Sequence, residues 1–247
     1  MFNSPERVKT GIDKLDTMLA GGLLPGTTIL AQGAPGVGKT TLGLQFLYEG
    51  ATRYNEPGLL ITFEEFPASL YRDADSYGWN LRELEAQRKL RLVFTSPEIL
   101  LASLQATTSP ITDLIQDWNI KRVVLDSVTM FRRVTSDAVQ LRDIYNNMIN
   151  GLKRERLTSI LTSEDQMQAV SLRQQGMLGF IVDGIVLMRY VEVNSAMQKA
   201  ITILKMRGIN HDRMIHRFTI EKGGIKIMEP FTGLEGLLSG SSHSRGK

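Results

Sequence analysis

The sequence predicts an α/β protein with a mostly parallel central sheet, flanking helices and antiparallel strands added toward the C-terminus. Three observations support this fold class. Short apolar runs rich in β-branched residues alternate with helical patterns over the first two-thirds of the chain. A glycine-rich loop joins the first of these strands to a helix. The last third reads as a run of strands over 180–193, 199–205, 213–220 and 225–228, with a glycine turn at Gly223-Gly224.

Composition narrows the class of protein before any motif is considered. The 247 residues carry a net charge of +3, with 42% apolar and 22% charged residues, as expected for a globular protein. This charge is too small to indicate nucleic-acid binding by itself. The chain contains no cysteine, which excludes disulfides, thiolate metal sites and a cysteine nucleophile. No apolar run is long enough to span a bilayer and no signal peptide is evident, so we expect a cytoplasmic protein without membrane contact.

The chain is expected to form one domain over residues 1–238, followed by a short disordered tail over 239–247. The first predicted helix spans 8–22, with Asp13 and Asp16 on its solvated faces. No helix or strand is assigned to the segment 95–110. The remaining predicted strands are 27–31, 59–63, 90–94, 121–127 and 158–163, and the remaining predicted helices are 41–48, 67–77, 81–88, 111–118 and 137–156.

The last of these helices, 137–156, is predicted to begin with a capping box formed by Asp137 and Gln140. Its apolar residues recur at helical spacing and predict a buried stripe. The stripe comprises Val139, Leu141, Ile144, Tyr145, Met148, Ile149 and Leu152.

The glycine-rich loop fits the spacing G-x-x-x-x-G-K-[ST] at every fixed position. Its residues are Gly33, Ala34, Pro35, Gly36, Val37, Gly38, Lys39 and Thr40. Glycines at this spacing let consecutive backbone N–H groups converge on phosphate oxygens, and the following helix N-terminus adds partial positive charge. Lys39 is predicted to reach the outer phosphates, and the Thr40 hydroxyl to bind a magnesium ion. The sequence therefore predicts a nucleoside triphosphate site.

Acidic residues follow two of the predicted strands. Glu64 and Glu65 come directly after strand 59–63, where a carboxylate could position or deprotonate a water near the γ-phosphate. The competing interpretation, that two acids merely begin a loop, is the more frequent situation for such a pair taken alone. Asp126 ends the apolar run of strand 121–127, as the Walker B element requires, and is predicted to hold Mg²⁺.

Tyr77 and Trp79 flank Gly78 between two predicted helices. Their flat rings could stack on a nucleotide base. Aromatic residues at such a corner more often pack in the core, and the spacing alone favours core packing.

Taken together, these motifs resemble the KaiC-type ATPases of the RecA-like superfamily. The likeness extends over about residues 8–239, and its most discriminating element is Lys205-Met206-Arg207-Gly208. The stretch from Tyr190 to Asp212 is especially similar to the second, kinase-bearing repeat of the circadian-clock members. The other motifs are Thr10-Gly11-Ile12 with Leu15-Asp16, the segment 33–41, Phe63-Glu64-Glu65, Ser76-Tyr77-Gly78-Trp79 and Val123-Val124-Leu125-Asp126-Ser127.

The resemblance implies a RecA-like core that assembles into a ring, commonly a hexamer, with ATP and Mg²⁺ held between neighbouring subunits. It assigns catalysis to Glu64 and Glu65 together with Lys39, Lys205 and Arg207. Without it, Lys205 and Arg207 would be interpreted as solvated strand charges. The nucleotide contacts that it implies beyond the glycine-rich loop are Thr41, Ser76, Tyr77, Lys205, Met206, Arg207, Ile209, His211 and Arg213. It also raises a KaiB-like protein as a signalling partner.

The chain also departs from the clock members. It has one phosphate loop and no internal repeat, and Gly179 and Phe180 stand where the kinase repeat has an adjacent Ser-Thr pair. Autophosphorylation at that pair is therefore not expected.

The leading hypothesis is a ring-forming ATPase that acts as a nucleotide-dependent switch. A competing hypothesis is a RecA-like DNA-repair accessory that binds single-stranded DNA through residues 164–176, although that loop lacks aromatic stacking residues. An autokinase and an inactive nucleotide-stabilised scaffold are two further hypotheses that the motifs leave open.

Overall fold

A nine-stranded sheet organises the computed structural model, which describes residues 6–106, 108–164, 176–238 and 243–244. The order across the sheet is β3-β2-β4-β5-β1-β6-β7-β8-β9. The first six of these positions run parallel and the last three antiparallel, which confirms the predicted fold class. The strands are β1 (Thr28–Gly33), β2 (Gly58–Thr62), β3 (Leu90–Phe94), β4 (Arg122–Asp126), β5 (Thr158–Glu164), β6 (Gly184–Val193), β7 (Ala196–Met206), β8 (His216–Glu221) and β9 (Gly224–Pro230).

Two helical layers cover the two faces of this sheet. Alternate residues of each parallel strand point to opposite faces, so Leu60 packs in one core cluster while Leu59 and Ile61 pack in the other. The first layer is formed by α1 (Asp13–Met18), α2 (Lys39–Arg53), α3 (Pro67–Tyr77) and α4 (Leu81–Ala86). The second is formed by α5 (Pro97–Gln105), α6 (Pro110–Asp117), α7 (Ala138–Arg154) and α8 (Gly176–Ile181).

Helix α5 lies in a segment where the sequence analysis assigned no element. It begins at Pro97, which suits the first helical position, and the Ser96 hydroxyl accepts the N–H of Ile99. The prediction failed because the serine and threonine residues that follow masked this short apolar helix. Strand 180–193 was also predicted too long, because its first residues belong to α8.

The ends of two other helices differ from the prediction. Helix α1 is shorter than 8–22, because Val8 leaves the helix and pairs with Leu23 through two backbone hydrogen bonds of 2.9 and 2.8 Å. At the start of α7, Asp137 accepts from two backbone N–H groups, but the side chain of Gln140 bonds Thr135 instead of completing the box. Val139 is 71% exposed rather than buried, since it lies in the first turn beyond the edge of the core.

Asp16 is buried, which corrects the expectation that it is solvated. Its Oδ1 accepts hydrogen bonds from the Thr10 backbone N–H at 2.7 Å and from the Thr10 hydroxyl at 2.8 Å. Burial raises the pKa of this carboxyl, and the bonds from Thr10 partly oppose the rise. Between the two residues, Gly11 adopts φ +83°, and a Cβ there would lie 2.2 Å from Cβ of Glu49. The Thr-Gly-Ile segment is thus an anchor for the chain before α1.

At the C-terminus the short strand β10 (Leu234–Glu235) pairs with β11 (His243–Ser244). The expected single domain over 1–238 and the expected disorder of the tail stay predictions. Among the residues that the structure describes, no helix is both long and apolar enough to cross a bilayer.

Candidate nucleotide site

The glycine-rich loop connects β1 to α2 at the carboxyl edge of the parallel strands, the edge where ligands bind in open α/β sheets. Gly36 and Gly38 adopt φ +72° and +119°, values that favour glycine. A Cβ at Gly33 would lie 2.2 Å from the Met188 carbonyl oxygen, so the close approach of β6 also requires a glycine there. The Lys39 ammonium is buried inside the loop and donates to the carbonyls of Gly33 and Ala34, each at 2.9 Å.

The predicted metal-binding side chains lie together on neighbouring elements. The Thr40 hydroxyl, at the start of α2, donates to Asp126 Oδ2 at the end of β4 over 2.8 Å. The other oxygen of Asp126 accepts from the buried hydroxyl of Thr162 on β5. A hydroxyl and a carboxylate are hard oxygen ligands of the kind that Mg²⁺ prefers, so the residues present fit that ion. Within the described residues, no cluster of three or more His, Cys, Asp or Glu side chains offers another metal site.

Glu64 and Glu65 follow β2 beside the same carboxylate. The Phe63 N–H donates to the Asp126 carbonyl at 3.0 Å, and the Glu65 N–H donates to Thr62 Oγ1 at 3.2 Å. Burial raises the pKa of Glu65, and the negative charges of Asp126, Asp73 and Glu64 raise it further. Glu64 is exposed and lies 3.8 Å from the Arg133 guanidinium. The sheet therefore brings the predicted acidic pair and the predicted metal ligand to one edge.

Of the two aromatic residues that flank Gly78, Trp79 packs in the core and Tyr77 lies next to the helix that follows the phosphate loop. Trp79 is 3% exposed and stacks on Tyr48 with ring centroids 5.5 Å apart, so it packs in the core as its spacing favoured. The Tyr77 hydroxyl lies 3.4 Å from Thr41 Oγ1, on the helix that follows the phosphate loop. Ser76 is exposed and its hydroxyl donates to the Asp73 carbonyl. Tyr77 is thus half-buried beside Thr41 of α2, whereas Ser76 is exposed on α3.

Sequence reasoning missed two residues that hold the phosphate loop. The Tyr190 hydroxyl donates to the Gly36 carbonyl at 2.8 Å, and the Lys199 ammonium lies 3.4 Å from the same oxygen. Burial lowers the pKa of Lys199. The two residues face each other across the antiparallel pair β6 and β7. Their role follows only from the register of that hairpin, which the sequence pattern did not define.

Lys205 and Arg207 lie at the other end of the sheet. Gly33 of the phosphate loop, on β1, pairs with Met188 on β6. Four residues earlier on the same two strands, Ile29 pairs with Gly184. Gly184 pairs in turn with Met206, the residue between the two cations, on β7. Four residues of strand separate these two levels, or about 13 Å at ~3.3 Å per residue. Lys205 and Arg207 are therefore remote from the phosphate loop of their own chain.

Both cations are held by the C-terminal end of α8 and the turn that follows it. The Lys205 ammonium donates to the carbonyls of Gly179 and Val182 at 2.8 and 2.7 Å. The Arg207 guanidinium donates to the Phe180 carbonyl at 2.9 Å and lies 3.7 Å from Asp183. Burial lowers the pKa of Lys205, and the nearby charge of Arg207 lowers it further.

The segment after Arg207 presents a mixture of buried and accessible groups. Met206 and Ile209 pack in the core, which leaves only their backbone groups for a ligand. Arg213 is exposed, and His211 has a buried Nδ1 without a hydrogen-bond partner among the described residues. Of the segment 164–176 that was predicted to bind DNA, residues 165–175, which include Arg173, Gln174 and Gln175, lie outside the described part of the chain.

Comparison with known proteins decides the family. The family model for the ATPase KaiC matches residues 8–231. The chain belongs to the KaiC ATPase family. It is 34% identical over 241 residues to the circadian clock oscillator protein KaiC of Picosynechococcus, and 35% identical over 240 residues to that of Thermosynechococcus vestitus. Each alignment covers 97% of this chain but 46% of the KaiC protein, so the chain spans about half the length of these relatives.

A solved structure supports the same family. The KaiC-like protein of the hyperthermophilic archaeon Pyrococcus horikoshii aligns with a TM-score of 0.81 and 30% identity, covering 92% of this chain and all of the archaeal chain. The resemblance predicted from the motifs is therefore confirmed, and so is its RecA-like fold. The family supports nucleotide binding at the phosphate loop.

Proposed function

We propose that this chain is an ATP-hydrolysing subunit that assembles head to tail into a ring, with each ATP between two neighbours. The ring acts as a nucleotide-dependent switch of the KaiC type, and six subunits is the size that the family suggests. The observation that supports the proposal is the separation of Lys205 and Arg207 from their own phosphate loop. The two ends of one sheet are different surfaces, so a contact between them is heterologous. Such contacts form a ring where the rotation from one subunit to the next closes and an open filament where it does not, and the family favours the ring.

One subunit supplies the cradle and the metal ligands. Backbone N–H groups of the loop bind the phosphates, and Lys39 moves from the Gly33 and Ala34 carbonyls to the outer phosphates as ATP enters. Thr40 and Asp126 would hold Mg²⁺, with Thr162 orienting the Asp126 carboxylate. The ion supplies neutralisation of phosphate charge when it is bound.

The same subunit supplies the group that acts on water. Glu65 is the member of the acidic pair whose pKa is raised, by desolvation and by the neighbouring negative charges, which makes it a stronger base than an ordinary glutamate. We assign it to accept the proton of the attacking water. Glu64, which lies near Arg133, orients that water or the Glu65 carboxylate.

The neighbouring subunit supplies the positive charge. An arginine delivered across an interface stabilises charge that develops on the transferred phosphoryl group and makes hydrolysis depend on assembly. The carbonyls of α8 and its following turn fix Lys205 and Arg207 in place before any neighbour arrives, so little side-chain ordering remains to be done. A KaiB-like partner for such a ring stays a prediction from the family.

Mixing two inactive variants tests the shared site. Arg207→Ala lacks the cation that it gives to a neighbour, and Lys39→Ala lacks its own phosphate-binding residue. A mixture contains interfaces in which an intact phosphate loop meets an intact Arg207, so we expect phosphate release to recover to a fraction of wild type at equal proportions. Each variant alone is expected to release phosphate at least about a hundredfold more slowly than wild type.

The matched control is Arg207→Ala mixed with Arg207→Ala/Lys39→Ala, which restores no complete site. Absence of recovery at every mixing ratio, while light scattering shows mixed assemblies, would contradict a site shared between subunits.

A further inference from the structure

An apolar cleft of about 520 Å³ lies beside the acidic pair at the carboxyl edge of the sheet. It is lined by Phe63, Phe94, Thr95, Ser96, Pro97, Glu98, Ile99, Met130 and Arg133. Phe66 stacks on Phe94 at its rim, with ring centroids 4.6 Å apart, although Phe66 is 64% exposed and Phe94 44%. Ile99, at the first turn of α5, is 59% exposed. Exposed aromatic and aliphatic side chains grouped around a cleft mark a surface that another molecule covers.

A second exposed aromatic side chain lies at the opposite end of the molecule. Phe180 is 69% exposed on α8, and its carbonyl oxygen accepts the hydrogen bond from Arg207. The phenyl ring therefore belongs to the helix end whose carbonyls bind Lys205 and Arg207. If Arg207 reaches the phosphates of a neighbour, this ring reaches the neighbour's surface near those phosphates.

We propose that the Phe180 ring of one subunit inserts into the cleft formed by Phe94, Ile99 and Met130 of the next subunit. The proposal rests on the shared site proposed above and names the apolar contact that holds it together. A second copy of the chain is the occupant because one molecule cannot fill its own cleft: ring and cleft lie at opposite ends of one sheet. An aromatic anchor in an apolar pocket is the usual centre of a stable protein interface.

Charge complementarity supports the same pairing. Among the described residues around Phe180, the cations Lys153, Lys205 and Arg207 outnumber the carboxylate Asp183. Around the cleft and the adjoining acidic pair, the described carboxylates Glu64, Glu65, Asp73 and Glu98 outnumber the cations Arg72 and Arg133. Opposite fields steer the two ends toward each other, while the aromatic contact keeps them together.

A pair of introduced cysteines tests the contact directly, and the chain has no cysteine of its own to interfere. Phe180→Cys combined with Ile99→Cys should give a ladder of covalent oligomers when the protein is oxidised with ATP present. The control combines Phe180→Cys with Gln87→Cys, an exposed position before β3, at the other end of the edge strand that carries Phe94. The control is expected to stay unlinked.

Single substitutions give a second, independent readout. Phe180→Asp and Ile99→Asp should each raise the protein concentration needed for half-assembly by about tenfold or more, whereas Phe180→Leu should assemble nearly as wild type does. Both aspartate variants should still bind ATP at their own phosphate loop. When the two aspartate variants are mixed, they should form pairs. The Ile99→Asp chain supplies a native Phe180 and the Phe180→Asp chain supplies a native cleft, so one interface has both native side chains.

The outcomes separate the contact from the shared site. Assembly in ATP without cross-linking of the Phe180 and Ile99 positions, and with unchanged assembly of the aspartate variants, would overturn the aromatic contact and leave the shared site standing. A wild-type chain that stays monomeric in ATP would overturn both.

Discussion

Among single residues, Glu65 carries the chemistry of the proposed mechanism. Its carboxyl lies near Asp126, and desolvation together with neighbouring negative charge raises its pKa above the ordinary value. A general base must be ionised to accept a proton, so activity falls as pH falls through that raised pKa. We therefore expect phosphate release to decline at a higher pH than an exposed glutamate would give.

Substitution of the acidic pair tests this assignment. Glu65→Gln removes the base, and we expect phosphate release to fall about 10²- to 10⁴-fold with ATP binding retained. Glu64→Gln, the matched control, should lose less of the rate of phosphate release and should keep the acid limb of its pH profile. A profile whose acid limb persists in Glu65→Gln but disappears in Glu64→Gln would reverse the two roles.

Asp16 has a structural rather than chemical importance. Its raised pKa means that the folded state holds the proton more tightly than the unfolded chain, so the ionised carboxyl lowers stability at pH values above the folded pKa. Asp16→Asn keeps an oxygen that accepts from Thr10 and removes the charge. We expect its free energy of unfolding in urea at neutral pH to equal or exceed that of wild type.

The control for this prediction is Asp16→Ala, which leaves the buried N–H and hydroxyl of Thr10 without an acceptor. The free energy of unfolding of that variant should be lower than that of wild type by about 1–3 kcal/mol. Equal destabilisation by asparagine and alanine would show that the charge itself, and its attraction to Lys9, holds the segment.

At the scale of secondary structure, the hairpin of β6 and β7 fixes the shape of the phosphate loop. Tyr190→Phe removes the donor to the Gly36 carbonyl and keeps the ring beside Lys199. Because one such bond contributes about 0.5–1.5 kcal/mol, we expect the Kd for a fluorescent ATP analogue to rise about two- to tenfold. The control Tyr48→Phe alters a tyrosine on α2 whose ring packs on Trp79. An unchanged Kd in Tyr190→Phe would remove the hairpin from nucleotide binding.

The parallel half of the sheet was predictable because buried parallel strands are continuous apolar runs and their loops carry recognisable motifs. The loop from Gly33 to Thr40 and the strand ending at Asp126 could therefore be predicted from the sequence. The contacts of Tyr190 and Lys199 with the loop could not be predicted, because a contact across a hairpin depends on its register. The burial of Asp16 was missed because a carboxylate on a helix is solvated unless a distant group, here Thr10, bonds it.

At the scale of the whole molecule, the sheet separates two groups of residues that the proposed reaction needs together. The phosphate loop, Asp126 and the acidic pair lie at one end, and Lys205 and Arg207 at the other. The sequence motifs identified all of these residues, but the distance between the two groups depends on the order and direction of the strands, which the motifs do not give. That separation makes hydrolysis, if it needs all of them, a property of the assembly.

The dependence of ATP turnover on protein concentration tests this claim most directly. Phosphate release per subunit should be measured across a dilution series beside the molar mass from light scattering, with ATP, with ADP and without nucleotide. We expect release per subunit to fall on dilution in step with the loss of assemblies and to approach zero for the single chain. A monomeric chain that releases phosphate at the full per-subunit rate would contradict this expectation.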